Sequence, residues 1–352
     1  MEIYILDKEM NILGIIGVYE AIIWDTKYNE PGVFKIELLF DKEVNEWLQR
    51  GNLIFKTDEV EAGVITRRHL KVNKYGEEIV VVSGCMMSGY LKRRIIWDKM
   101  ILAGKPELVM RELVYQQCIG CSEERKIPRL ELGELKEYDG ESIEKQITYD
   151  NLQESLTELS NTSELGYRIL MDLKDKTLYF DVYRGEDRTY GTADACVFNR
   201  DYGNILEQSY EENEDNYRNV CLVAGSGEDA DRIRAVVGDA SGIERYEMYC
   251  NAAHFSDREI SAGEYINQLK TKGQEKLSEF CIAQAFTSKA SSNAEGGLGD
   301  YVTCTDSKWG VTINTQIKEI EKGYSKKEFS KIITFGDAQP TLTQLIKRNS
   351  KG

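Results

Sequence analysis

The 352-residue chain has a mass of 40.2 kDa and carries 45 Lys and Arg against 60 Asp and Glu, a formal net charge of −15. That balance argues against tight nucleic-acid binding, which draws its energy from basic side chains that displace cations from phosphates. The only imidazoles, His69 and His254, exclude a His-rich metal centre and leave few candidates for imidazole catalysis.

The first ninety residues read as short strands separated by turns. Glu2–Leu6, Ile12–Ile16, Phe34–Phe40, Leu53–Lys56, Ala62–Arg67 and Glu78–Ser83 are rich in Ile, Val, Leu and Phe. Alternation places Phe34, Ile36 and Leu38 on one face, with Lys35 and Glu37 outside. Asp41–Gln49 is expected as a short helix capped by Asp41, with Val44, Trp47 and Leu48 on one face. Strands at this spacing suggest a small barrel or sandwich.

The middle changes character. Pro106 suits the first turn of a helix reaching about Gln117, with Leu108, Val109 and Leu113 as its stripe. Asn151 is placed to cap a second helix, through Leu152, Leu156 and Leu159, that stops before Gly166. The strands Tyr167–Asp172 and Thr177–Tyr183 follow. Beyond Val197, strands are expected at Ile205–Tyr210, Asn219–Gly225, Asp231–Val237, Glu244–Cys250, Tyr301–Thr305, Gly310–Glu321 and Glu328–Phe335. One long helix is expected over Ser261–Phe286. The tail Gln344–Gly352 is polar and expected to fray.

No run approaches the roughly 20 apolar residues of a membrane helix, so no membrane insertion is expected. The acidic start, MEIYILDKEM, does not read as a secretory signal. Most of the eight Cys sit singly among apolar neighbours and read as buried thiols.

Few motifs carry chemistry. Cys118-Ile119-Gly120-Cys121 has the spacing of half a zinc site or a redox pair, but no second such pair exists. It reads as a helix end with Gly120 in the left-handed conformation. Gly225-Ser226-Gly227 is followed by Glu228, Asp229 and Asp231, which would repel a phosphate, so a hairpin tip is expected. Glu207, Glu211, Glu212, Glu214 and Asp215 lie within nine residues without a base. A peptidoglycan hydrolase using such acidic residues is the alternative reading; a solvated acidic face is the simpler one. Lys92-Arg93-Arg94, followed by Ile95, Ile96 and Trp97, is the densest basic cluster. Twenty Tyr and four Trp suit large protein contacts or a β-rich core.

Taken in order, several segments resemble the hub part of siphovirus tail-associated (Tal-type) baseplate proteins of phages and prophages. They begin with Ile23-Trp24-Asp25-Thr26-Lys27-Tyr28-Asn29-Glu30-Pro31-Gly32-Val33-Phe34, similar to an aromatic turn between two strands in that family. Gly51-Asn52-Leu53-Ile54, Ala62-Gly63-Val64-Ile65 and Val82-Ser83-Gly84 with Leu91-Lys92-Arg93-Arg94 follow. Then come Tyr183-Arg184-Gly185-Glu186-Asp187-Arg188-Thr189, Tyr202-Gly203-Asn204-Ile205-Leu206, and Tyr217-Arg218-Asn219-Val220 with Val223-Ala224-Gly225. Leu298-Gly299-Asp300-Tyr301-Val302, Trp309-Gly310-Val311 and Thr334-Phe335-Gly336-Asp337 complete the series.

The resemblance implies a mainly β fold with α+β inserts. Residues 1–95 would form a first tube-like β-barrel and 96–195 an α+β insert region. Residues 196–345 would form a second tube-like barrel with one long helix, and 346–352 the frayed tail. Three chains would close a ring at the virion tail tip, assembled in the host cytoplasm. Expected partners are a tail tube or distal tail protein above and a tip, spike or fibre protein below, with DNA passing through but not specifically bound. No catalytic residue, metal or cofactor is implied. Interface roles are expected of Trp24, Tyr28, Phe34, Lys92, Arg93, Arg94 and Trp97. The acidity is expected to place carboxylates along or around the ring's passage, where they repel phosphates.

Overall fold

The computed structural model describes residues 2–228, 231–253, 255, 261–280, 283–291, 294–326 and 328–336. His254, Cys281 and the polar tail Gln344–Gly352 lie outside the described residues. No helix among the described residues is long and apolar enough to cross a membrane.

The chain opens with β1 (Ile3–Leu6), β2 (Ile12–Ile16), β3 (Ala21–Lys27) and β4 (Val33–Leu39). The short helix α1 (Lys42–Trp47) leads to β5 (Leu53–Lys56), β6 (Gly63–Val72) and β7 (Glu78–Met86). The alternation expected in β4 holds: Phe34, Ile36 and Leu38 are buried and Lys35 is exposed. Asp41 caps α1, its carboxylate accepting from the Val44 N–H at 3.0 Å. These strands enclose a core of Ile5, Ile22, Trp24, Phe34, Ile36, Leu38, Val80 and Val82.

A second core gathers the middle of the chain. It takes β8 (Met100–Gly104), α2 (Pro106–Val114), β9 (Leu130–Leu132), β10 (Ile143–Ile147), α3 (Leu152–Ser163), β11 (Gly166–Asp172) and β12 (Thr177–Tyr183). Pro106 occupies the first turn of α2, where a missing N–H costs nothing. Val109, Met110 and Leu113 face inward, whereas Leu108, expected in the stripe, is 47% exposed. Asn151 caps α3 as expected, accepting from the Gln153 and Glu154 N–H groups at 3.1 and 3.4 Å. Leu152, Leu156 and Leu159 then pack with Ile169 and Phe180, and this core continues into Leu6, Leu53 and Val64 of the first strands.

The remainder is β-rich again. The short strands β13 (Asp187–Arg188) and β14 (Val197–Phe198) lead into β15 (Ile205–Asn213). A three-stranded sheet of β16 (Val220–Ala224), β17 (Arg234–Val237) and β18 (Glu247–Asn251) is covered by α4 (Ala262–Ser278). Ser261 and Glu264 form a capping box at the start of α4, with reciprocal bonds of 2.7 and 3.2 Å. Then come β19 (Ala283–Ala290), β20 (Tyr301–Asp306), β21 (Val311–Ser325) and β22 (Phe329–Gly336). The helix expected over Ser261–Phe286 therefore ends earlier, at Ser278. Beyond it the burial period changes from helical to two-fold: Phe286, Ser288 and Ala290 are buried, while Thr287 and Lys289 between them are partly exposed.

The strands belong to a mainly β architecture with α+β inserts, as expected. Their ladders do not close separately: among the described residues, both β-rich parts run into one sheet through a single seam. In that seam β3 pairs antiparallel with β21, from Ala21 opposite Ser325 to Lys27 opposite Glu319.

Candidate assembly interface

The seam generates a continuous run of eight antiparallel strands, in the order β15, β19, β22, β21, β3, β4, β7, β6. Pleating gives this run two faces. One face rests on two apolar cores: Trp24, Phe34 and Val82 in the first part, and Phe286, Ile333 and Phe335 in the last. The opposite face carries Lys35 and Glu37 of β4, Asp25 and Lys27 of β3, Glu319 and Glu321 of β21, and Lys289 of β19.

Three lysines on that face have carboxylate neighbours: Lys71 lies 3.2 Å from Glu37, Lys27 4.0 Å from Glu319, and Lys289 3.8 Å from Glu207. Lys35 and Arg67 are exposed there without an ion pair among the described residues. Asp25 is buried instead. It is 4% exposed, stands opposite Glu321, and its Oδ1 has no hydrogen-bond partner. Burial, reinforced by the charge of Glu319, pushes its carboxyl up to about 8, so it holds a proton at neutral pH.

On the core side the seam is tied by Lys56 of β5, whose side chain is fully buried. Its ammonium donates to the Tyr324 hydroxyl at 3.1 Å, lies 2.7 Å from Asp58 and 3.2 Å from Glu59, and sits 4.8 Å from the centre of the Tyr324 ring. Lys322 reaches the same Glu59 at 2.7 Å.

The eight-strand run has an unpaired stretch at each end, although the sheet itself continues from β6 through β5 and β1 to β2. β6 pairs with β5 only at Gly63 and Val64, so from Thr66 to Val72 its sole ladder partner among the described residues is β7. At the far end β15 pairs only with β19 among the described residues. The acidic run noted in the sequence falls here, with Glu207, Glu211 and Glu212 on β15; the basic run Arg67, Arg68 and Lys71 falls on β6.

The residues expected to form contacts divide into two groups. Trp24, Tyr28 and Phe34 are 1%, 0% and 2% exposed, so they are core residues of this chain and not exposed contacts. Trp24 stacks on Phe34 with ring centres 5.6 Å apart. Within that window Ile23 and Val33 are the apolar side chains that reach solvent.

Lys92, Arg93 and Trp97 are exposed. Arg93 lies over the Tyr90 ring at 4.1 Å. Arg94 turns inward and ties the segment to the 125–126 backbone, donating to the Arg125 carbonyl at 2.6 Å and the Lys126 carbonyl at 3.3 Å. Trp97 is 55% exposed and stacks under the Arg125 guanidinium at 4.6 Å. Arg125 is itself fixed by bonds to the Ile95 carbonyl and Gln117 Oε1, at 2.9 and 2.7 Å. Trp97, Lys99, Gln116, Cys121 and Arg125 line an open cleft of about 740 Å³.

Two smaller motifs also resolve. Cys118 is fully buried, and burial pushes its thiol up to about 12, against a reactive thiolate. Gly120 has φ −85°, so the left-handed conformation expected there is not adopted; α2 instead passes through one wide turn, Tyr115–Ile119. No cluster of three or more His, Cys, Asp or Glu suited to a metal occurs among the described residues. Gly225-Ser226-Gly227 starts the β16–β17 hairpin turn, as expected, and the Ser226 N–H is taken by the Tyr265 hydroxyl at 2.7 Å.

Known proteins place this geometry. The fold is similar to that of a tail protein from Neisseria meningitidis MC58, at 13% identity and TM-score 0.60, covering 96% of each chain. A prophage MuSo2 43 kDa tail protein from Shewanella oneidensis matches at 11% identity and TM-score 0.58, over 95% of this chain and 98% of that one. Prophage tail protein gp18 from Listeria monocytogenes EGD-e matches at 11% identity and TM-score 0.55, over 100% and 99%. No curated protein matches by sequence. The family model for the siphovirus ReqiPepy6 Gp37-like protein matches residues 2–337. The chain therefore belongs to the siphovirus ReqiPepy6 Gp37-like family.

Proposed function

We propose that the chain is a structural hub of a phage-type tail tip, in which three copies close a ring. The ring would join the tail tube or distal tail protein on one side to a tip, spike or fibre protein on the other, and let DNA pass. The observation that carries this reading is the eight-stranded run with an open edge at each end: a sheet of this kind is completed by repetition around a closed ring, which leaves no edge bare. The siphovirus family match and the fold shared with tail proteins support the setting in a tail.

In this ring the face without a core lines the passage. Its charge pattern is mixed: Lys27, Lys71 and Lys289 each lie within 4.0 Å of a carboxylate, while Lys35 and Arg67 are exposed without an ion pair. The paired lysines hold a passing phosphate backbone less strongly than free ones would. Lys92, Arg93 and Trp97 are proposed as contacts to a neighbouring tail protein, Trp97 from the cleft it lines with Arg125.

The hydrolase reading gains no support from the acidic run. A glycosidase needs two carboxyl groups facing across a cleft, about 5–9.5 Å apart. Glu207, Glu211 and Glu212 instead follow one another along an edge strand. Zymography of the purified chain on peptidoglycan tests this directly; a lytic band would overturn the structural reading. Negative-stain imaging tests the ring itself, with three-lobed particles around a central hole as the expected result.

A further inference from the structure

We infer that the cleft beside Trp97 takes an extended segment of the neighbouring tail protein, which adds as a third strand to the free edge of β8. This rests on the contact reading of Trp97 and names what the cleft holds.

The first observation is the edge. β8 pairs in unbroken register with β10, from Met100 opposite Ile147 to Gly104 opposite Ile143. These two strands form a sheet of their own, so the other edge of β8 has no ladder partner among the described residues. The cleft runs along that edge. Met100, Ile101 and Leu102 all line it, although side chains one residue apart point to opposite faces of a strand, and no residue of β10 does. Alternate main-chain N–H and C=O groups of β8 therefore point into the cleft, the array with which an incoming strand pairs.

The second observation is a preformed opposite wall. Gln116 of the wide turn and Arg125 line the cleft together with β8. Gln117 ties the two sides to each other. Its Nε2 donates to Met100 Sδ at 3.2 Å, and its Oε1 accepts from the Trp97 N–H at 3.3 Å and from Arg125 at 2.7 Å. A groove already held between a strand edge and a helix end admits an extended chain with little rearrangement.

The third observation is the chemistry of the lining. Trp97 and Ile101 are 55% and 42% exposed, apolar surface that a covering strand takes out of water. Charges are nearly balanced: Lys99 and Arg125 stand with Asp98, Glu112 and Glu124. Such a lining does not select a polyanion. It suits a segment recognised through its main chain, with apolar side chains at alternate positions. The Arg125 guanidinium adds one specific demand. Its contacts among the described residues are with neutral groups: the Trp97 ring, the Ile95 carbonyl and the Gln117 amide. A carboxylate on the incoming strand beside Trp97 would supply the charge it lacks.

The test is amide hydrogen exchange, read by mass spectrometry on the full chain alone and mixed with each tail protein encoded alongside it, taken singly. The relevant partner is the one that loses affinity for Trp97→Ala. With that partner bound, amides of Met100–Gly104 should slow about tenfold or more, and one continuous stretch of about five partner residues should slow with them. Unchanged exchange at Met100–Gly104 in that complex would overturn strand addition and leave Trp97 as a side-chain contact. Slowing at Met100–Gly104 in the chain alone as its concentration rises would make a second copy the occupant, and would overturn the inference too. If no tail protein loses affinity for Trp97→Ala, the contact reading fails and the inference fails with it.

Discussion

The Tyr28 hydroxyl donates to the Glu164 carbonyl at 2.9 Å, which pins the end of β3 to the end of α3. The same hydroxyl lies 3.2 Å from the Tyr183 carbonyl, and the two rings meet edge to face at 5.1 Å. Lys318 of β21 completes the junction: its carbonyl accepts from the Tyr28 N–H at 2.9 Å, and its ammonium donates to Asn29 Oδ1 at 3.1 Å. One fully buried tyrosine thus touches all three parts of the chain.

Tyr28→Phe keeps the ring and removes the hydroxyl from the two partly buried carbonyl contacts. The expected loss is about 1–2 kcal/mol, read as a lower urea midpoint at unchanged slope. Gly299→Ala should cost more. Gly299 has φ +95°, and an added Cβ would lie 2.3 Å from the Tyr28 ring. A Gly299→Ala variant as stable as the parent would show that this packing is looser than described.

A second junction lies between α4 and the middle of the chain. Lys145 of β10 is 2.5 Å from Glu275 and 3.4 Å from Glu158, while Lys272 is 3.0 Å from Glu158 and 3.5 Å from Glu275. Lys145 and Glu275 are 5% and 3% exposed. Lys145→Met leaves the buried Glu275 carboxylate with Lys272 alone, 3.5 Å away, and should cost about 3 kcal/mol. Adding Glu275→Leu to Lys145→Met should recover much of that loss, measured by the same urea titration.

The pH dependence of this network follows from Glu158. Burial opposes its ionisation, but the ammoniums of Lys272 and Lys145 outweigh burial and hold it at about 2. A lowered folded value gives stability that is complete above the unfolded value near 4.5 and lost as pH falls through about 2. Glu158→Gln should flatten the stability profile across that window.

Asp25 gives the opposite sign. Its folded value is raised from 3.8 to about 8, so its contribution is complete below 3.8 and fades as pH rises through 8. Asp25→Asn keeps a donor toward Glu319 and removes the titration. The variant should be more stable than the parent above pH 8, measured by thermal melts across pH 5–9. A parent and variant with parallel profiles would exclude a proton on Asp25.

Trp97→Ala and Arg93→Ala test the proposed contact surface. Both side chains are largely exposed, so each should change folding stability by no more than about 0.5 kcal/mol. Binding to a neighbouring tail protein, measured by calorimetry, should weaken at least tenfold for Trp97→Ala. Unchanged affinity would remove Trp97 from the interface.

Local chemistry was legible in the sequence. The caps at Asp41, Asn151 and Ser261, the Pro106 helix start and the alternation in β4 each follow from residues a few positions apart. What escaped depends on distant pairing. The helix expected over Ser261–Phe286 covers the first half of β19 because Ala-Gln-Ala-Phe has weak strand preference; the ladders of β19 to Ile205–Asn213 and to Lys331–Gly336 make it a strand. Trp24, Tyr28 and Phe34 looked like contacts because an aromatic turn reads alike in a core and at an interface. Only the covering strands, from β5 and from β21 nearly 300 residues away, distinguish the two. The acidic run of β15 is visible in the sequence, but nothing local reveals that it lies on an edge strand.

The central claim is the three-membered ring, and native mass spectrometry of the unaltered 40.2 kDa chain addresses it most directly. The expected result is a dominant species of three chain masses that falls apart as salt rises. A chain that remains monomeric at every concentration, or that forms a two-fold dimer, would contradict it.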